Sequence, residues 1–224
     1  TSPASAQSRF RTIRPHAKGG LGSVSMAQDI ELNRQVALKE ILPRFADDEE
    51  CRTRFLLEAE VTGGLEHPGI VPVYGLGRYE DGRPYYAMRF IRGDSLQEAI
   101  NRFHVGRSST VTSSADSTID FLGVEFRNLL GRFLAVCQAI EYAHSRGILH
   151  RDIKPGNIML GKYGETLIVD WGLAKVQGFA FQPSASGELP LQPTAGISRL
   201  NTMTGSIVGT PAFMAPEQAS GSLE

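Results

Sequence analysis

His150-Arg151-Asp152-Ile153-Lys154-Pro155-Gly156-Asn157 sets an aspartate, a lysine and an asparagine within one short turn, and Asp170-Trp171-Gly172 adds a second aspartate downstream. These residue types suit the movement of a phosphoryl group onto a hydroxyl. One carboxylate can orient the hydroxyl, a cation can offset charge on the phosphate, and two oxygen-bearing side chains can hold magnesium. Ile158-Met159-Leu160 reads as a strand leaving the turn. Residues 161–164 read as a reversal and residues 166–169 as the partner strand that returns Asp170 beside Asn157. An Asp-Trp-Gly alone carries little information. Its weight comes from the functional types that agree in order upstream.

In these two motifs the chain resembles the eukaryotic-type (Hanks-type) serine/threonine protein kinases, which also occur in bacteria. The Pro-Gly-Asn form of the loop, His67-Pro68-Gly69-Ile70-Val71-Pro72-Val73-Tyr74 and Met214-Ala215-Pro216-Glu217-Gln218 look bacterial. The resemblance implies an α+β, two-lobed protein-kinase-like fold, with a β-rich N-lobe carrying one regulatory helix and a mainly helical C-lobe. It implies a serine/threonine protein kinase that uses ATP and Mg2+. Asp152 would then accept or orient the substrate hydroxyl, Lys154 would steady the γ-phosphate, and Asn157 and Asp170 would hold magnesium. Arg151 precedes the catalytic aspartate, as in kinases switched by phosphorylation of the activation segment. A phosphate there brings nearly two negative charges that an arginine can pair with. Thr202 or Thr204 is the expected autophosphorylation site. Thr210 is expected to touch Asp152 and Lys154 and to favour Ser/Thr acceptors over Tyr. Trp171 stands where the family usually has phenylalanine. An aromatic plug with altered inactive-state packing is expected, with the chemistry kept, and its indole N–H needs a partner if buried.

Several elements must position these groups. Residues 10–14 and 24–29 read as two strands around Ala17-Lys18-Gly19-Gly20-Leu21-Gly22, a turn whose backbone N–H groups could approach phosphates without Cβ interference. By itself such a cluster is more often a plain hairpin turn. Its weight grows with Val36-Ala37-Leu38-Lys39, which resembles the kinase third-strand motif; Lys39 alone would read as a solvated strand lysine. The family has glycine at the first loop position, where this chain has Ala17, while Gly19 and Gly22 keep the other two. The resemblance also assigns Val24 and Ala37 to the nucleotide pocket. Residues 47–65 carry a helical pattern, with Phe55, Leu56, Ala59 and Thr62 on one side and four acids at the start, where the helix dipole favours them. This resembles the regulatory helix, whose glutamate should pair with Lys39. Glu58 is the first choice and Glu60 the fallback, since two residues turn a helix by about 200° and both cannot face the lysine. His67, beside a proline, reads as structural. Residues 70–77 and 84–91 read as strands turning at 80–82. Met88-Arg89-Phe90-Ile91 resembles the hinge, with Met88 as gatekeeper and the Arg89 carbonyl and Ile91 N–H offered to adenine.

Domain boundaries follow: a tail over 1–9, an N-lobe over 10–88, a hinge over 89–93, and a partial C-lobe over 94–224. Asp94 or Ser95 can cap a helix running to about Phe103. Residues 104–118 break the pattern and read as a polar, mobile surface insert. The strongest helix spans 124–146, with Phe126, Leu129, Leu130, Phe133, Val136, Cys137, Ile140 and His144 at helical spacing. Cys137 is expected in the core and Gly147 at the helix stop. The activation segment spans 170–217, irregular over 178–198. The chain begins with Thr1 and ends seven residues after Glu217, so it is expected to be the first part of a longer kinase domain.

Composition narrows the alternatives. A formal net charge of −1 offers no general basic surface for nucleic acid. Two cysteines, Cys51 and Cys137, lack metal-like spacing and fit a reducing compartment. No apolar run approaches the ~20 residues that span a bilayer, although the parent protein could be anchored, and a cytoplasmic location is expected. The expected partners are proteins with Ser/Thr acceptors. Two other classes compete: a pseudokinase or nucleotide-binding scaffold, opposed by the intact Lys39, Asp152, Asn157 and Asp170, and a small-molecule kinase, opposed by the long segment and its Ala-Pro-Glu close.

Overall fold

Val36, Ala37, Leu38 and Lys39 are buried in succession, the pattern of a strand covered on both faces. In the computed structural model, which describes residues 9–108, 123–177, 189–194 and 208–221, they lie on β3 (Arg34–Ile41) at the centre of a five-stranded antiparallel sheet. Its other strands are β1 (Phe10–Lys18), β2 (Gly22–Asp29), β4 (Val73–Arg78) and β5 (Pro84–Arg89), in the order β1-β2-β3-β5-β4. Strand β1 runs four residues beyond the expected end at Arg14, up to the edge of the glycine-rich turn. Its register shifts twice, between Thr12 and Arg14 and between Pro15 and Ala17. β4 starts at Val73, later than expected, because Ile70 is drawn into a parallel bridge with Ile168. β5 stops at Arg89, short of Ile91.

Helix α1 (Glu49–Gly64) crosses this sheet. The Asp48 side chain caps it by accepting from the Cys51 N–H at 2.8 Å, and Glu49 and Glu50 occupy its first turn. Phe55 is fully buried against Tyr86, ring centroids 5.4 Å apart. A phenylalanine removed from water this completely contributes about 1.5–3 kcal/mol, which holds the helix and the sheet together.

After β6 (Gly93–Ser95) comes α2 (Leu96–Ser108). Ser95 and Glu98 cap it reciprocally: Ser95 Oγ accepts from the Glu98 N–H at 3.2 Å and Glu98 Oε2 from the Ser95 N–H at 2.7 Å. The helix continues through Ser108, so residues 104–108 belong to it rather than to an insert. The rest of the expected insert (109–118), residues 1–8 of the expected tail, and residues 178–188 and 195–198 of the irregular stretch lie outside the described residues, while Arg9, expected in the tail, pairs with Asp29 of β2. Helix α3 (Val124–Ser145) ends where Gly147 takes φ +73°. Then follow β7 (Ile148–Leu149), β8 (Ile158–Gly161), β9 (Thr166–Ile168), β10 (Lys175–Val176) and a last turn of helix, α4 (Pro216–Ala219). β6, β8 and β9 form one small sheet, and β7 and β10 another. The fold is α+β. Among the described residues no helix is long and apolar enough to cross a membrane.

One expectation about α3 is overturned. Val136, Ala139 and Ala143 form its buried face, packed toward β7 and β9. Leu130, Phe133 and Leu134 are about half exposed at 46%, 58% and 55%, and Cys137 is exposed with them rather than in the core. The helix is apolar on two adjacent sides. Helical spacing identifies both and cannot tell which one is covered.

Candidate active site

Two clusters form the site. The first joins β3, α1 and β5. The Lys39 ammonium makes an ion pair with Glu58 Oε1 and lies 3.8 Å from Asp170 Oδ1. Burial alone would push the Lys39 pKa down, but the Glu58 and Asp170 carboxylates outweigh it and hold the ammonium above its ordinary range. Of the two glutamates weighed from sequence, Glu58 meets the lysine. Glu60 instead accepts from Thr194, from its N–H at 2.6 Å and its hydroxyl at 2.9 Å. A further donor was not foreseen: the Tyr86 hydroxyl reaches Glu58 Oε1 at 2.7 Å. The register that pairs Lys39 with Tyr86 puts both side chains on one face of the sheet. That register was the signal available, had β3 and β5 been aligned residue by residue.

The second cluster lies in the loop between β7 and β8. Asp152 Oδ2 accepts from Lys154 Nζ at 2.6 Å and from Asn157 Nδ2 at 3.2 Å. Its Oδ1 accepts from the Thr210 hydroxyl at 2.7 Å. That hydroxyl in turn accepts from Lys154 Nζ at 2.9 Å. Burial raises the Asp152 pKa, but the Lys154 and Thr210 bonds more than reverse this and keep it below the ordinary carboxylate value. His150 braces the loop from below: its Nδ1 accepts the Asp152 N–H at 3.2 Å, and its Nε2 faces the Val169 carbonyl at 3.4 Å. Arg151 takes φ +65° and donates its Nε–H to the Leu173 carbonyl at 2.7 Å. The Gln218 amide, also unforeseen, donates to the Arg151 and Val208 carbonyls, each at 2.6 Å. It thereby ties the segment that carries Thr210 to the loop. Thr202, Thr204 and Ser206 lie outside the described residues.

The hairpin joins the clusters. The Val169 N–H bonds the Asn157 carbonyl at 2.9 Å, and Asp170 follows with φ +64° and its side chain 54% exposed. Trp171 is 1% exposed, 4.5 Å from the His150 ring between centroids. Its buried Nε1–H meets no acceptor among the described residues. The Asn157 amide nitrogen is committed to Asp152, to the backbone carbonyl at 3.0 Å as well as to the carboxylate. Its oxygen is therefore the atom left for a cation. Among the described residues no three His, Cys, Asp or Glu side chains gather closely enough to hold a metal alone. A magnesium ion between Asn157 and Asp170 would draw further oxygens from phosphates and water.

The roof is formed by β1, β2 and their turn. Ala17 pairs with Val24, and Val24 pairs with Lys39 on the other side. The Gly19 N–H closes the turn on the Gly22 carbonyl at 2.8 Å, and the Leu42 N–H anchors it to the Leu21 carbonyl at 2.9 Å. A Cβ on Gly22 would come within 2.9 Å of the Glu40 carbonyl oxygen and 3.3 Å of Lys39 Cε, so only glycine lets the turn sit this low over the lysine. Buried Ala37 lies between Met26 and Met88 across the sheet. From Arg89 the chain runs through Ile91 without helix or strand until β6. The Arg89 guanidinium is ion-paired with Glu165 on the hairpin between β8 and β9.

Comparison with known proteins agrees with this geometry. The protein kinase domain model matches residues 17–222. Serine/threonine-protein kinase PknD of Protochlamydia amoebophila is 40% identical over 214 residues, covering 95% of this chain and 21% of that protein. PknD of Chlamydia felis is 37% identical over 214 residues, and PknD of Chlamydia trachomatis serovar L2b 37% over 222, each covering 95% of this chain and 22% of the relative. The chain thus spans about a fifth of the length of the curated relatives it matches.

Proposed function

The chain belongs to the protein kinase domain family, and on that premise we propose that the protein containing it transfers the γ-phosphate of ATP to serine and threonine hydroxyls of other proteins. The observation that carries this reading is the convergence of Asp152, Lys154, Asn157 and Thr210 in one hydrogen-bonded cluster, with the Lys39–Glu58 pair and Asp170 beside it. ATP with magnesium supplies the phosphoryl group and the cation that offsets its charge. Lys39, fixed by Glu58, would meet the α- and β-phosphates, and Asn157 and Asp170 would hold the ion. Lys154 steadies the γ-phosphate. Asp152 aligns the acceptor hydroxyl, and Thr210 narrows the entrance in favour of Ser and Thr over Tyr. The turn from Ala17 through Gly19 and Gly22 covers the phosphates. Val24, Ala37 and Met88 would enclose the adenine, with the Arg89 carbonyl and the Ile91 N–H offered to its edge. Catalysis on this plan is positioning and charge stabilisation.

In the same reading residues 10–88 form the N-lobe, 89–93 the hinge and 94 onward the C-lobe, with the activation segment over 170–217. The ATP requirement puts this part of the protein in the cytoplasm. Phosphorylation of Thr202 or Thr204 regulates it through Arg151, a guanidinium whose pKa burial lowers, with nearby Arg54 adding to the shift.

The test is transfer of radiolabel from ATP to a generic Ser/Thr protein by the full-length protein, with Asp152→Asn in parallel. The substitution should lower the rate by about 10²-fold, the size of a lost positioning contact. Equal labelling by both proteins would refute the role of Asp152 and, with it, those of the side chains gathered around it.

A further inference from the structure

We propose that Tyr86 is a positioning residue for this kinase: its hydroxyl, donated to Glu58 Oε1 from β5, holds that carboxylate on Lys39. The inference rests on the kinase reading above and deepens it. Three observations carry it. Glu58 Oε1 receives both Lys39 Nζ and the Tyr86 hydroxyl, so one oxygen is fixed from two strands at once. Glu58 is 3% and Tyr86 2% exposed, so water does not compete for either bond and the loss of one partner is felt in full. Lys39 also has a second carboxylate within reach, Asp170 Oδ1 at 3.8 Å. Whatever strengthens the hold of Glu58 on the ammonium keeps it from moving toward Asp170, whose oxygens are wanted for the cation.

Packing alone does not require the hydroxyl. The Tyr86 ring lies against Phe55 of α1 at 5.4 Å, and a phenylalanine would fill the same space. The hydroxyl adds a neutral donor at the point where α1 meets the sheet. Burial and the adjacent Glu58 push the phenol pKa well above its ordinary value, so it stays protonated and donating through the whole working pH range. The device couples the placement of α1 to the placement of Lys39: the helix must sit close enough to the sheet for Glu58 to meet Tyr86 and Lys39 together.

The experiment is a double-mutant cycle in the full-length protein, comparing wild type, Tyr86→Phe, Glu58→Gln and the double variant by kcat and KM for ATP and for the protein acceptor. Tyr86→Phe should lower kcat/KM for ATP about 10–150-fold, the size expected for a hydrogen bond to a charged group. The KM for the acceptor should not change, and the melting temperature should fall by only the few degrees that one lost buried hydrogen bond implies. In the Glu58→Gln background the same change should have almost no further effect on ATP kinetics, because the carboxylate charge that the hydroxyl holds on Lys39 is already gone. Tyr86→Leu, which also lacks the hydroxyl, should lose at least as much as Tyr86→Phe. Wild-type kinetics in Tyr86→Phe, with or without a loss in Tyr86→Leu, would overturn the proposal, and so would equal losses in both backgrounds. Those outcomes would leave the kinase reading standing. A wild-type protein that transfers no phosphate would instead remove the reading and this inference together.

Discussion

Asp152 accepts three side-chain hydrogen bonds on one carboxylate, and these bear on the role proposed for it. A general base works best with a pKa near the working pH, whereas this one is held below the usual aspartate value. On the proposed reading its contribution is the direction of its oxygens, which the Thr210 hydroxyl holds at Oδ1. Thr210→Val removes both the donor to Asp152 and the acceptor for Lys154. It should lower kcat about tenfold, in keeping with the loss of a hydrogen bond to a charged group. Thr210→Ser keeps the hydroxyl and should stay within about threefold of wild type, because only a methyl group's packing is lost. Steady-state kinetics of the pair check this; equal activity in Thr210→Val and wild type would mean that the lysine and the asparagine orient Asp152 unaided.

At the scale of elements, the connection from the large sheet to the small one depends on Gly93. A Cβ there would fall on the Leu160 carbonyl oxygen, within the β6–β8 pairing. Backbone cannot yield as a side-chain tip can, so Gly93→Ala should destabilise the fold by about 1–3 kcal/mol. At Gly20, where a Cβ would meet nothing within 4 Å, alanine should be close to neutral. Urea midpoints of the two variants separate these outcomes. Elements of this kind differ in how far the sequence reveals them. Helix α1 was legible because the acids at its start and the apolar spacing around Phe55 agree. So was the β8–β9 hairpin, which has a glycine on either side of its turn. The glutamate that meets Lys39 could be narrowed to two by helix geometry, and only packing separated them. Tyr86 and Gln218 escaped notice because their partners are fixed by strand register and by a contact 67 residues away in sequence. Cys137 was misassigned because a two-sided apolar helix does not reveal which side finds a partner.

Over the whole molecule, the charges that hold the site also set how stability responds to pH. Burial lowers the pKa of His150, outweighing the Val169 carbonyl and the Asp170 and Asp152 charges that act the other way, and burial lowers His67 and His144 as well. A histidine that binds its proton less readily when folded leaves the unfolded chain with more protons over that interval. Its contribution is then complete above the ordinary value near 6.5 and declines as the pH falls below it. For Asp152 and Asp29, both held below the usual aspartate value, the loss begins only in the more acidic range under about 4. The melting temperature should therefore fall steadily from pH 7 to 5.5, well before Asp152 or Asp29 is protonated. Protonating His150 would also convert Nδ1, the acceptor of the Asp152 N–H, into a donor, so the loop should loosen as the fold weakens. Trp171 lies against the same ring and is the single tryptophan of this chain. The fluorescence difference between wild type and Trp171→Phe should change over the same interval. In His150→Phe both the fluorescence change and the slope of melting temperature with pH should shrink, even if the variant is less stable throughout. An unaltered slope in that variant would assign the acid sensitivity to His67 and His144 and free the catalytic loop from it.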